Sequence, residues 1–303
     1  MKNLALNCLF LLLFLTLASL ANARTKVIYG EDNRVNVADF NNPLFQKLAL
    51  STAGQVDMWE LEPYSDGYLQ LPNLTLLEDQ PVCSEERFAN QLAVSKCTGF
   101  LVAPDILITA GHCIYDMEDC DYSPWIFDYN QSSMGDKRII PESSVYYCTK
   151  IIERRVDDDD TGSDFAVLKL NKKVLDRKPL KIRRSGRIKD NQKLVVIGSP
   201  SGLPTKIAAE AKVFANEDEL FFTSNLDTFG GNSGSPVFNL DTGVVEGILV
   251  RGEKDYNETD NLCDVVNYCP ENMGQEGCTG EEATRISEII PFLPVKDIGE
   301  VNE

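Results

Sequence analysis

The chain has 303 residues, 43% of them hydrophobic, enough for a packed core in one large domain or two medium ones and too many for wholesale disorder. Lys and Arg number 29 against 47 Asp and Glu, a formal charge of -18. That balance argues against a nucleic-acid partner, which needs clustered cations to displace counterions.

The chain opens like an export signal. Lys2 gives a small positive start, the run from Leu4 to Leu20 is almost entirely apolar, and Ala21-Asn22-Ala23 has the small-x-small pattern of a cleavage site. Residues 1–23 are therefore expected to be removed; a retained anchor is the alternative, because the run approaches spanning length. No later stretch is long and apolar enough to span, so no stable membrane association is expected after cleavage. Eight cysteines would remain, Cys83, Cys97, Cys113, Cys120, Cys148, Cys263, Cys269 and Cys278. An even count behind an export signal reads as a disulfide framework in an oxidising, secreted, periplasmic or extracellular setting. No Cys-x-x-Cys pair occurs, and no metal or organic cofactor is expected.

Residues 24–80 are weakly patterned and mostly polar, an N-terminal segment or propeptide. Strand-like stretches follow at 98–103, 105–110, 125–129, 145–152, 164–170, 194–198, 207–214, 235–238 and 244–250. They are short, rich in Val, Ile, Phe and Tyr, and punctuated by Gly, Pro, Asn and Asp. This pattern predicts antiparallel barrels or sandwiches. A basic stretch, 171–190, divides them and reads as a solvated crossover. The expected organisation is a first barrel at about 81–170, a second at 191–295 and a tail at 296–303, with a helix at 284–293 ended by Pro294. The acidic run 157–160 fails as a calcium loop, since its closing position is Leu168 where a bidentate Glu is needed. Asn73, Asn130 and Asn257 head glycosylation acceptor patterns.

The chemistry converges on three residues. The chain holds one histidine, His112, in Thr109-Ala110-Gly111-His112-Cys113, so imidazole acid–base chemistry near neutral pH has one candidate. A serine hydroxyl is a poor nucleophile and needs such a base; the base in turn needs a carboxylate to fix its tautomer. Ser233, inside Gly230-Gly231-Asn232-Ser233-Gly234-Ser235-Pro236, and Asp164, opening Asp164-Phe165-Ala166-Val167-Leu168, complete the set. Gly231 permits the unusual backbone that an oxyanion hole requires, and the N–H groups of Gly231 and Ser233 are the expected donors. Each motif alone is weak; the order His, Asp, Ser is one of the known arrangements of the acyl-transfer triad.

Cys97-Thr98-Gly99-Phe100-Leu101-Val102 with Leu107-Ile108-Thr109-Ala110-Gly111-His112-Cys113 resembles the histidine region of trypsin-like serine proteases. Asp164-Phe165-Ala166-Val167-Leu168 resembles their aspartate motif, and Gly231-Asn232-Ser233-Gly234-Ser235-Pro236-Val237-Phe238 resembles the bacterial glutamyl endopeptidase branch. The resemblance covers about residues 88–251. It implies an all-β protein of two antiparallel Greek-key barrels (chymotrypsin-like) with a short C-terminal helix, and the site in the cleft between the barrels. It also implies a secreted serine endopeptidase that cleaves polypeptide substrates through an acyl-enzyme, as a monomer. Cys97 and Cys113 match the family's disulfide beside the histidine. Cys120 with Cys148, one pair within Cys263, Cys269 and Cys278, and the leftover cysteine with Cys83 are the expected remaining pairs. Asn232 stands where trypsin has the aspartate that pairs with its freed amino terminus, so that switch is expected to be absent. In some of the glutamyl branch the mature amino terminus helps bind the substrate's acidic side chain; cleavage after Lys26 would expose Val27 for that role.

The expected specificity pocket comprises Asp227, Thr228, Leu249, Val250 and Arg251. Asp227 lies six residues before Ser233, the spacing of trypsin's pocket aspartate, and would select Arg or Lys through a charge-assisted hydrogen bond. An Asp-Thr pair also occurs in glutamyl endopeptidases, where a pocket histidine helps; Leu249 stands nearest that position here, and Arg251 could replace it or point to solvent. Asp227 could equally turn away to hold a loop. The rivals to a peptidase are an inactive secreted binding protein on the same scaffold and an esterase; Ser235 breaks the esterase Gly-x-Ser-x-Gly elbow.

Overall fold

Strand Lys193–Gly198 feeds two cores at once. Leu194 and Val196 pack with Val213, Phe222, Val237 and Ala283, whereas Val195 and Ile197 pack with Phe100, Phe127, Phe165 and Phe238. Alternation with period two puts successive side chains on opposite faces, and β-branched residues suit both. Val195, Ile197 and Phe238 are fully buried, each worth about 1.5–3 kcal/mol relative to exposure.

The computed structural model describes residues 27–156, 162–260, 262–270 and 278–294. The export signal, the acidic run 157–160 and the tail 296–303 lie outside the described residues. Two antiparallel sheets dominate. In the second, Lys193–Gly198, Pro236–Asn239, Val245–Arg251, Glu281–Arg285, Phe221–Ser224 and Lys206–Ala215 follow one another, and Lys206–Ala215 pairs back onto Lys193–Gly198 to close a six-stranded barrel. The first runs Val145–Tyr146, Trp125–Phe127, Thr52–Gln55, Cys97–Ala103, Ile106–Thr109, Phe165–Leu170, Cys148–Arg155. Its two edge strands are separated in the chain by Tyr147 alone, so the sheet curls round to bring its edges together. The chymotrypsin-like two-barrel fold is present, with the second barrel closed and the first a curled half-barrel.

Three expectations need correction. The first barrel does not begin at residue 81: Thr52–Gln55 sits in the middle of its sheet, paired with Cys97–Phe100 on one side and Trp125–Phe127 on the other. Its four small or polar residues carry no alternation, and it is a strand because both neighbours supply hydrogen bonds. Val35–Asn36 joins the second barrel at Lys206 and Ile207, so residues before 81 are woven into both barrels. The helix expected at 284–293 starts as strand Glu281–Arg285, inserted between Phe221–Ser224 and Val245–Arg251. Only Ile286–Phe292 is helical, as a 3-10 helix with Pro291 inside. The basic stretch is not simply solvated. Leu180 N–H donates to Leu101 O at 2.8 Å, Arg183 pairs with buried Glu246, and Arg177 binds Asp128 and Asp176.

The cysteines pair Cys83–Cys263, Cys97–Cys113, Cys120–Cys148 and Cys269–Cys278. Such links typically contribute ~2–4 kcal/mol, and they fit an oxidising, extracellular setting. Among the described residues no helix is long and apolar enough to cross a membrane.

Candidate active site

Strand Ile106–Thr109 delivers His112 at its C-terminal end, in the short 3-10 turn Gly111–Cys113 that Cys97–Cys113 ties to the neighbouring strand. The adjacent strand Phe165–Leu170 pairs with it and begins directly after Asp164. The two side chains therefore meet without long loops. Asp164 is 4% exposed. Its Oδ1 accepts from Gly111 N–H at 2.6 Å and His112 N–H at 3.2 Å, and its Oδ2 from His112 Nδ1 at 2.6 Å. This network assigns the ring proton to Nδ1 and leaves Nε2 as the acceptor, with no protein partner among the described residues. The backbone of Asp164 is held from the other barrel, its N–H donating to Thr284 Oγ1 at 3.2 Å.

Ser233 comes from the second barrel, its carbonyl oxygen 3.7 Å from the Sγ of Cys113, the residue after His112. Thr98 N–H donates to Ser233 O at 2.8 Å, Thr98 Oγ1 to Gly231 O at 2.8 Å, and Gly234 N–H to Leu249 O at 2.7 Å. The serine loop is thus clamped between the strand Cys97–Ala103 and the strand Val245–Arg251. Gly231 and Gly234 both have φ +86°; a Cβ on Gly231 would come 2.4 Å from Ser199 O, and on Gly234 2.1 Å from Thr98 O. Only glycine fits these left-handed, close-packed positions. Asn232 N–H donates to Phe229 O and Ser235 N–H to Asn232 O, while the N–H groups of Gly231 and Ser233 have no protein acceptor among the described residues. No hydrogen bond joins Ser233 Oγ to His112 among the described residues; catalytic contacts of this kind commonly tighten only when substrate is bound.

A cavity of about 460 Å³ opens beside Ser233, lined in part by Thr228, Leu249, Val250 and Arg251. Four of the five expected pocket residues are thus brought to it. Asp227 is not: its side chain is turned away, buried, accepting from Tyr29 N–H at 2.9 Å and Asn33 N–H at 3.2 Å. It holds the N-terminal segment, in which Val27 is fully buried with its N–H on Asn267 O. Arg251 donates to Glu282 at 2.8 Å and to Gly162 O at 3.1 Å. Sequence reasoning missed Thr98, Thr284, Asp255 and Glu281. Asp255 accepts from Gly230 N–H at 2.7 Å. Thr98 lies within the histidine region, but nothing in the pattern marks it; the other three stand far from any motif.

Burial, against the two backbone hydrogen bonds, pushes the Asp227 carboxyl up to about 7. An unfolded aspartate titrates near ~4. Between those values the native state holds a proton that the unfolded chain has released, so stability falls as pH rises through the window, by about 1.4 kcal/mol per pH unit at most for one group. Asp227→Asn is expected to flatten the dependence of the urea midpoint between pH 4 and 7, measured against the parent; an unchanged slope would refute the assignment.

Among the described residues one cluster has the makings of a metal site, Cys97, His112 and Cys113. The two sulfurs are joined in a disulfide and His112 Nδ1 is taken by Asp164, so this donor set offers no thiolate and does not fit a metal.

Known proteins place this fold. A solved structure of Glu endopeptidase in complex with MPD is 18% identical, with a TM-score of 0.51, over 88% of this chain and 97% of that one. The Vibrio cholerae VesB protease is 15% identical, with a TM-score of 0.51, over 87% of this chain and 65% of that one. At such identity the likeness is one of fold, that of two-barrel peptidases. A family model for the trypsin-like peptidase domain matches residues 97–248, and the chain belongs to that family. The Bacillus subtilis (strain 168) extracellular metalloprotease is 25% identical over 190 residues, 56% of this chain and 56% of that protein, so the match spans little more than half the relative's length.

Proposed function

We propose that the protein is a secreted serine endopeptidase in which Ser233 is the nucleophile, His112 the general base and acid, and Asp164 the group that orients His112. The observation that carries this reading is the 2.6 Å contact of His112 Nδ1 with buried Asp164, which places the ring proton on Nδ1 and leaves Nε2 free to accept one. His112 Nε2 takes the proton from Ser233 Oγ as the oxygen attacks the peptide carbonyl. The carbonyl oxygen gains negative charge and is held by the N–H groups of Gly231 and Ser233, the two amides of the loop without protein acceptors. His112 returns the proton to the leaving amine, and water repeats the sequence on the acyl-enzyme. In this proposal residues 1–23 are an export signal and the barrels act as one domain.

A fluorophosphonate probe tests the serine assignment against the metal chemistry named for the Bacillus relative. The secreted protein is expected to be labelled at Ser233 and to keep its peptide turnover in excess chelator. Turnover abolished by chelator, with Ser233 unlabelled, would overturn the proposal. A folded, secreted protein with neither labelling nor turnover would favour a binding protein on this scaffold.

A further inference from the structure

The cavity beside Ser233 holds a carboxylate that the reaction sequence does not use. Glu281 opens the strand Glu281–Arg285, is 2% exposed, and lines the cavity together with Ser233 and Thr228. Its Oε2 accepts from Thr228 Oγ1, and its Oε1 from Glu253 N–H at 3.3 Å. Gly252 stands against it. A Cβ there would come 2.0 Å from Glu281 Oε2, so a side chain at 252 would press on the carboxylate that glycine leaves uncovered on that side.

The charge around the cavity is one-sided. Glu253, Asp255 and Asp264 line it beside Glu281, against Lys254 and Arg251, and the Arg251 guanidinium is already bonded to Glu282 and Gly162 O. Burial first, then Asp255 and Glu253, drive the Glu281 carboxyl well above the usual range against its two hydrogen bonds. Such a group gains most from a cation, which relieves the repulsion and restores a charge-assisted hydrogen bond. An acidic side chain would instead add a negative charge beside Glu253, Asp255 and Asp264.

We propose that Glu281 determines the specificity of this peptidase, receiving the ammonium or guanidinium of a Lys or Arg side chain immediately before the scissile bond. The proposal rests on Ser233 being the nucleophile. It takes the role that spacing gave to Asp227 and moves it to a residue 48 positions after Ser233 in the chain, on a strand no motif marks.

The test uses the full secreted protein and para-nitroanilide peptides ending in Arg, Lys, Glu and Phe. A site built to bond one polar group rejects analogues lacking it by large factors. The Arg and Lys substrates are expected to exceed the Glu and Phe substrates by about 100-fold or more in kcat/KM, and Glu281→Gln should remove most of that margin. A second measurement needs no variant: benzamidine should protect Ser233 from fluorophosphonate labelling, and benzamide, its neutral analogue, should not. A parent protein that is labelled but prefers Glu or Phe, or is protected equally by both compounds, overturns the Glu281 assignment and leaves the serine mechanism standing. A parent protein that is not labelled at all fails the mechanism itself, and this inference with it.

Discussion

Ser233→Ala should fold as the parent does and lose about 10⁶-fold in kcat, because the members of the proposed triad act as a unit and removing the nucleophile removes their joint effect. The structural cost is small. Ser233 Oγ makes no hydrogen bond among the described residues, while the contacts that fix the loop run through backbone: Thr98 N–H to Ser233 O, and Gly234 N–H to Leu249 O. The variant should therefore keep its urea midpoint and its four disulfides while losing labelling by a fluorophosphonate. A residual rate of roughly 10³–10⁴ over water is expected to persist, from the oxyanion donors and substrate binding alone. Steady-state kinetics on a chromogenic peptide, with urea unfolding alongside, separates the two effects. Turnover within tenfold of the parent, in a protein of equal stability, would remove Ser233 from the chemistry.

Much of the fold was legible because its strands carry their own signal. Phe165–Leu170 and Val245–Arg251 are dense in β-branched and large apolar residues, and the expected bounds, 164–170 and 244–250, differ from these by no more than one residue at either end. Thr52–Gln55 was not, because Thr-Ala-Gly-Gln has neither alternation nor bulk; its conformation comes from strands more than 40 residues away. Glu281–Arg285 misled for a related reason. Its residues read naturally into the apolar spacing that follows, and only the gap between two partner strands makes them extended.

The site divides along the same line. His112, Asp164 and Ser233, the three residues of the proposed triad, sit in short motifs of the residue types that acyl transfer requires, so sequence could single them out. The pocket is built by three-dimensional neighbourhood. Asp227 has the right spacing and the wrong direction: the amides of Tyr29 and Asn33, almost 200 positions earlier, supply two hydrogen bonds that turn it away. Val27–Arg34 itself is fastened by pairing with Tyr268–Cys269 and by Arg34, which is 2% exposed, paired with Asp32 at 2.8 Å and stacked 3.9 Å over Phe229. Nothing in either stretch of sequence points to the other, and the contact between them exists only in the folded chain.

Asp164→Asn is expected to cost about 10⁴-fold in kcat, with KM little changed, by reversing the histidine tautomer rather than by unfolding the site. Three donors converge on this carboxylate: Gly111 N–H, His112 N–H and His112 Nδ1. An amide offers a single accepting oxygen. If that oxygen stays with the two backbone N–H groups, the NH₂ faces the imidazole and can only donate to Nδ1. The ring proton then moves to Nε2, the nitrogen that must accept from Ser233, and the base is lost although every heavy atom stays near its place. Because His112 is the sole histidine, nitrogen NMR of the labelled protein would show one imidazole, and the tautomer can be read from it directly. The parent should carry the proton on Nδ1 and the variant on Nε2. A variant that keeps the parent tautomer, or turns over within tenfold of the parent, would mean that Asp164 does not orient His112.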